Sequence, residues 1–225
     1  VRGVDLSATG HNNDGIDPEC TRNLLVENCR FDQGDDAIAI KSGTNHDGWR
    51  LNQPSENIVI RHCTVVRGHQ LVAIGSELSG GVRNVFVHDC RFEAKTEPYH
   101  LLYIKTNRRR GGFVENITME NVEASGAQFG VLGIETDVLN QWRKLVPAYE
   151  ERLTRISGIT VRQVKIGNTA TPFRIFGDKD LPVKDVLLED ITIGTAKGRR
   201  NRYENAENVR EKEVRIGKFI EAPDR

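Results

Sequence analysis

Short runs in which apolar and polar residues alternate recur along the chain, each opened by a small amide, acidic or glycine residue. Four copies are close: Asn23-Leu24-Leu25-Val26-Glu27-Asn28-Cys29, Asn57-Ile58-Val59-Ile60-Arg61-His62-Cys63, Asn84-Val85-Phe86-Val87-His88-Asp89-Cys90 and Asn116-Ile117-Thr118-Met119-Glu120-Asn121-Val122. Two looser ones follow, Gly158-Ile159-Thr160-Val161-Arg162-Gln163-Val164 and Asp185-Val186-Leu187-Leu188-Glu189-Asp190-Ile191. Their first apolar positions are 34, 27, 32, 42 and 27 residues apart, and a second short apolar run follows most copies, at 37–40, 71–74, 101–104, 131–134 and 173–176.

Period-2 alternation is a strand signal. Strand groups repeating every roughly 20 to 50 residues describe a solenoid whose coils stack about 4.8 Å apart and bury their apolar faces on one another. The pattern therefore predicts an all-β chain folded as a parallel β-helix, with Leu24, Ile58, Val85, Ile117, Ile159 and Val186 in one stacked column. A β-sandwich is the alternative, disfavoured because most links are too long for two-residue hairpin turns. Cys29, Cys63 and Cys90 share a motif position later filled by Val122, Val164 and Ile191, which predicts an inward column of small apolar side chains rather than disulfides. Two stretches depart from the repeat. Leu139, Trp142, Leu145, Val146, Tyr149 and Leu153 stand at helical spacing, predicting a helical insertion around 137–156 that packs on its own domain. The charged stretch from Lys197 to Arg215 reads as a solvated terminal cap.

The 225 residues with 37% hydrophobic content allow one sizeable core, and a single domain over 1–225 is expected. Because Val1 to Leu6 already reads as a strand, that domain is expected to be the C-terminal part of a longer catalytic domain. Lys plus Arg and Asp plus Glu are equal at 32 each, so no global field favours nucleic acid or an anionic membrane as a partner. No apolar run approaches the roughly 18 residues of a membrane span. Four cysteines without C-x-x-C spacing make neither a disulfide framework nor a zinc site, and no metal or cofactor is expected.

Two acidic clusters carry the candidate chemistry: Asn12-Asn13-Asp14-Gly15-Ile16-Asp17 and Gly34-Asp35-Asp36-Ala37. Asp14 and Asp35 are 21 residues apart, about one coil, so Asp14 should lie beside the Asp35-Asp36 pair. Crowded carboxylates tend to keep one member protonated while others stay ionised. Glycoside hydrolysis needs that division, with one acid for the leaving oxygen and one carboxylate for the water. A calcium site or loop capping would use the same residue types, since Asn-Asp-Gly and Gly-Asp-Asp are common turn sequences. Aligning Ile40, Ile74 and Ile104 places His69 one rung from the acids and Lys105 over Lys41, with Glu135 in the same column. Tyr103 and Lys105 then point outward if Ile104 points in.

Asn12-Asn13-Asp14, Gly34-Asp35-Asp36, Gly68-His69 and Ile104-Lys105, in that order, resemble the polygalacturonase family of glycoside hydrolases, family 28, of bacterial type and without the coils that usually precede the first aspartate motif. The resemblance implies a right-handed parallel β-helix that hydrolyses α-linked, galacturonic-acid-containing pectic polysaccharide with inversion. It implies Asp35 as general acid, Asp14 and Asp36 holding and deprotonating the water, His69 supporting the acid's protonation, and Lys105 binding a substrate carboxylate with Asn12 in support. The acid and base carboxyls would then stand about 6.5 to 9.5 Å apart. Gln70 replaces the glycine after the histidine and Tyr103 the arginine before the lysine, both at substrate-binding positions. The loss of a bidentate guanidinium at 103 points to a modified or mixed pectic chain, or a chain end, over plain homogalacturonan. A secreted or periplasmic enzyme is expected. A catalytically silent carbohydrate-binding β-helix and a calcium-dependent pectate lyase are the competing readings.

Overall fold

The computed structural model describes residues 1–93, 96–138, 150–198 and 201–221. Its strands are β1 (Asp5–Ala8), β2 (Arg22–Glu27), β3 (Arg30–Gln33), β4 (Ala39–Ile40), β5 (Ser55–Arg61), β6 (Thr64–Arg67), β7 (Gln70–Ile74), β8 (Val82–Phe92), β9 (His100–Lys105), β10 (Phe113–Ala127), β11 (Gly130–Glu135), β12 (Arg155–Thr169), β13 (Phe173–Phe176), β14 (Val183–Gly198), β15 (Arg202–Glu204) and β16 (Ala206–Glu221). They form a right-handed parallel β-helix. One wall is the six-stranded ladder β4-β7-β9-β11-β13-β15, and the others belong to a ten-stranded sheet that bends around the coil. Every paired strand is parallel to its neighbour, which removes the sandwich.

The repeat motif is a corner. Asn23, Asn57, Asn84, Asn116, Gly158, Asp185 and Asn208 all have positive φ, as do Asn28, His62, Asp89, Asn121, Gln163, Asp190 and Glu213 five residues later. Asn and Asp tolerate this left-handed region better than other side chains, which explains the small amide or acid that opens each copy. The first column is also a ladder of side-chain hydrogen bonds, each amide donating to the previous coil: Asn57 to Asn23 at 3.1 Å, Asn84 to Asn57 at 3.0 Å and Asn116 to Asn84 at 2.8 Å. Between the corners the apolar column forms in register, Leu24 on Ile58, Val85, Ile117, Ile159, Val186 and then Val209. Cys29, Cys63 and Cys90 are free and buried, and Val122, Val164 and Ile191 continue the cysteine column.

Two expectations change. The stretch from Lys197 to Arg215, expected as a solvated terminal cap, is solvated, as expected, but regular: β16 is a further rung that pairs along its whole length with β14 and places Val209 and Val214 in the repeat columns. Its charges hid an alternation in which only every second or third residue is apolar. The helical insertion around 137–156 lies largely outside the described residues; at its described end, 150–154 is irregular and Arg155 and Ile156 already belong to β12. One short helix that the repeat did not announce, α1 (Asn45–Leu51), packs beside the site wall, where Trp49 donates to the Arg110 carbonyl at 2.7 Å.

Candidate active site

The acidic clusters meet where the turn before β4 crosses the preceding coil. Asp35 N–H donates to the Asn13 carbonyl at 3.2 Å and Gly15 N–H to the Asp36 carbonyl at 2.9 Å, so the backbones of the two motifs are stitched together. Gly34 permits the crossing, because a Cβ there would meet the Gly10 carbonyl oxygen at 2.1 Å. The side chains converge in turn: the Asp36 N–H donates to Asp14 Oδ1 at 3.2 Å. Asp14, Asp35 and Asp36 line a cavity of about 520 Å³ together with Asn12, Tyr103 and Lys105. His69 sits at its edge, with Nδ1 2.9 Å from Asp35 Oδ1. Alternation along β9 behaves as expected, with Ile104 buried and Tyr103 and Lys105 turned outward.

The three carboxyls occupy different electrostatic positions. Asp36 is 2% exposed, and burial pushes its pKa up to about 6, against the Lys105 ammonium 3.4 Å away and with the help of the Asp35 and Asp14 charges. Asp35 is held below the usual carboxylate range, chiefly by its hydrogen bond to His69, and the same bond raises the imidazole. Asp14 is raised, first by burial and then by Asp17 and Asp35, with Lys41 opposing. One Asp36 oxygen, Oδ1, is buried with no protein partner among the described residues.

The carboxyl and imidazole ligand atoms of Asp35, Asp36 and His69 lie within 4.8 Å of one another. One oxygen of Asp35 and one of Asp36 therefore approach within 4.8 Å. The trio could face a cation, but calcium takes six to eight oxygen ligands, whereas here His69 engages Asp35 and the Lys105 ammonium already stands on Asp36. The donor set fits calcium poorly.

Gln70 is 4% exposed, within β7. The wall takes in its side chain, and the residue does not line the cavity. Motif spacing missed Lys41, whose ammonium bridges Asp14 at 3.3 Å and Asp17 at 2.9 Å. It also missed Tyr99, whose ring stacks on His69 at 4.5 Å. Lys41 was discoverable, since its column is the one that carries Lys105. Tyr99 was discoverable in the same way, since the register that sets Ile104 beside Ile74 sets Tyr99 beside His69.

The model of "Glycosyl hydrolases family 28" matches residues 3–214. A Vitis vinifera protein described as "Probable polygalacturonase" is 30% identical over 205 residues, 87% of this chain and 39% of the relative. An "Endo-polygalacturonase" of Pectobacterium carotovorum subsp. carotovorum is 33% identical over 119 residues, 53% of this chain and 27% of the relative. Among solved structures, the hyperthermoactive exopolygalacturonase of Thermotoga maritima superposes with a TM-score of 0.81 at 33% identity, covering 100% of this chain and 47% of that one. The chain thus spans less than half the length of these relatives.

Proposed function

We propose for this chain, which belongs to glycosyl hydrolases family 28, the hydrolysis of α-glycosidic bonds in a galacturonic-acid-containing pectic polysaccharide, with the aspartate cluster as the reacting groups. The observation that carries the reading is the convergence of Asp14, Asp35, Asp36, His69 and Lys105 on one cavity from separate coils. A carbohydrate-binding module gains nothing from three mutually repelling carboxylates, one of them nearly fully buried.

In this reading Asp35 passes a proton to the glycosidic oxygen as the bond to the anomeric carbon breaks. His69 and Asp35 share one transferable proton between Nδ1 and Oδ1, and the raised pKa of the imidazole favours its retention there. A water held between Asp14 and Asp36 attacks the anomeric carbon and gives its proton to Asp36, which must be ionised to receive it. The burial of Asp36 leaves it no approach to the sugar carbon, so attack by water with inversion is favoured over a covalent intermediate. Lys105 and Asn12 hold the substrate, Lys105 through a uronate carboxylate. Secretion to where pectin occurs completes the proposal.

Polygalacturonate incubated with the protein should release reducing ends without the ultraviolet absorbance of an unsaturated sugar. Asp35→Asn should lower turnover about a hundred- to ten-thousandfold while largely preserving binding. Absorbing product would make the protein a lyase, and an Asp35→Asn variant of near full activity would remove the acid assignment.

A further inference from the structure

A ladder of residues leads away from the aspartates along the helix axis, one per coil. His69 N–H donates to the Asp35 carbonyl at 2.9 Å, Tyr99 to His69 at 2.6 Å, Phe129 to Tyr99 at 2.9 Å and Thr171 to Phe129 at 2.8 Å. The rings follow the backbone, His69 on Tyr99 and Tyr99 on Phe129 at 5.2 Å. The stack ends on an open face, for Phe129 is 42% exposed. A lone exposed phenylalanine would mean little. This one borders a cavity of about 230 Å³ that Arg174 and Arg202 also line.

The two arginines are register partners on neighbouring strands and lie over the Phe176 ring at 5.2 and 4.9 Å. Their carboxylate partners leave donors to spare. Arg174 is 3.6 Å from Glu135, too long for a hydrogen bond, and the 2.5 Å pair of Arg202 with Glu204 is solvent-exposed and of little net worth. Tyr103, Gly133 and Arg174 also form one outward column. The glycine lets the stacked His100 and Tyr103 rings lie over it, since a Cβ at Gly133 would meet His100 at 2.7 Å and the Tyr103 ring at 2.9 Å. Arg174 thus stands two coils from Tyr103 in the same outward column.

We propose that Phe129, Arg174 and Arg202 form an accessory subsite for a further uronate residue of the chain held at the aspartates, the ring stacking on Phe129 and the carboxylate taking the guanidinium N–H groups. Exposed aromatic surface beside arginine is the chemistry that suits an acidic sugar, which has an apolar ring face and a planar anion. The subsite rests on the pectic-substrate reading above, and it adds a preference for longer acidic chains.

Calorimetric titration of the intact chain with short and long galacturonic-acid oligomers, and with carboxyl-reduced long oligomers, tests it. Replacing both arginines (Arg174→Ala with Arg202→Ala) should weaken the long acidic oligomer roughly ten- to a hundredfold. The shortest oligomer that fills the aspartate cavity, and turnover on it, should be unaffected, and the advantage of acidic over carboxyl-reduced long oligomers should vanish. Should the double variant not fold, Phe129→Ala, which leaves the arginines and the backbone ladder in place, should show the same length-dependent loss. Equal losses for short and long oligomers, or none for either, would overturn the subsite while leaving the hydrolase reading intact if cleavage persists. A wild-type chain that neither binds nor cleaves any acidic oligomer would overturn both.

Discussion

Asp36 is the residue on which the chemistry and the stability of the site pull in opposite directions. Its pKa rises from 3.8 to about 6 on folding, so the folded state binds its proton more tightly than the unfolded chain. That contribution to stability is complete below about pH 4 and is lost as pH rises through about 6. At pH 7 the buried charge therefore weighs against folding. Asp36→Asn should raise the melting temperature at pH 7 by about 4–8 °C, corresponding to ~2 kcal/mol after allowing for a Lys105 left without its partner, and the gain should fade below about pH 4. A variant equally stabilised at pH 4 and pH 7, or destabilised at both, would show that the carboxylate is better satisfied than its burial implies.

Activity needs the ionised form, so the same residue sets the acid side of the rate profile. The rate constant kcat/KM should fall below about pH 6 as Asp36 takes up its proton, and should fall again above the raised pKa of His69 as the proton it shares with Asp35 is lost. His69→Ala should pull the basic limb to lower pH and leave the acid limb in place. Parallel movement of both limbs, measured as kcat/KM against pH, would contradict the division of labour. The crowding of these residues followed from residue types at fixed spacing; their separate roles are what the family resemblance implies. The columns that carry Lys41 and Tyr99 were legible in the register of the coils, but the contacts of Lys41 with Asp14 and Asp17 and of Tyr99 with His69 depend on side-chain reach between coils.

At the scale of elements, each coil is positioned by its corner as well as by its apolar strand. Asn84 stands mid-ladder, donating to Asn57 and accepting from Asn116, with φ of 55°. Asn84→Ala should therefore destabilise the chain by about 2–4 kcal/mol, from two hydrogen bonds and a left-handed backbone that alanine tolerates poorly. Asn84→Gly should recover only the backbone part. Equal stability of the alanine and glycine variants in denaturant melts would show that φ contributes nothing there. The recurring Asn was legible as punctuation, and its apolar followers as the stacked column, because both are set by period and residue size. The seventh motif at Asn208–Val214 escaped notice for a physical reason: in β16 most positions are exposed and carry charge, so the alternation that marks a buried strand is diluted.

For the whole molecule, the parallel β-helix makes the site, because residues far apart in sequence return to the same azimuth on successive coils. Asp14, Asp35, His69 and Lys105 meet for this reason, and the wall they share extends through Tyr99 and Phe129 to the paired arginines. The central claim is that a water, held by Asp14 and Asp36 opposite the Asp35 acid, displaces the sugar directly. Proton NMR of the first reducing ends released from galacturonic-acid oligomers, recorded before mutarotation, tests this directly. The account predicts the β-anomer from the α-linked substrate with the wild-type chain, and no comparable signal from Asp35→Asn under the same conditions. First-formed α-anomer would show retention through a covalent intermediate, and would contradict the account.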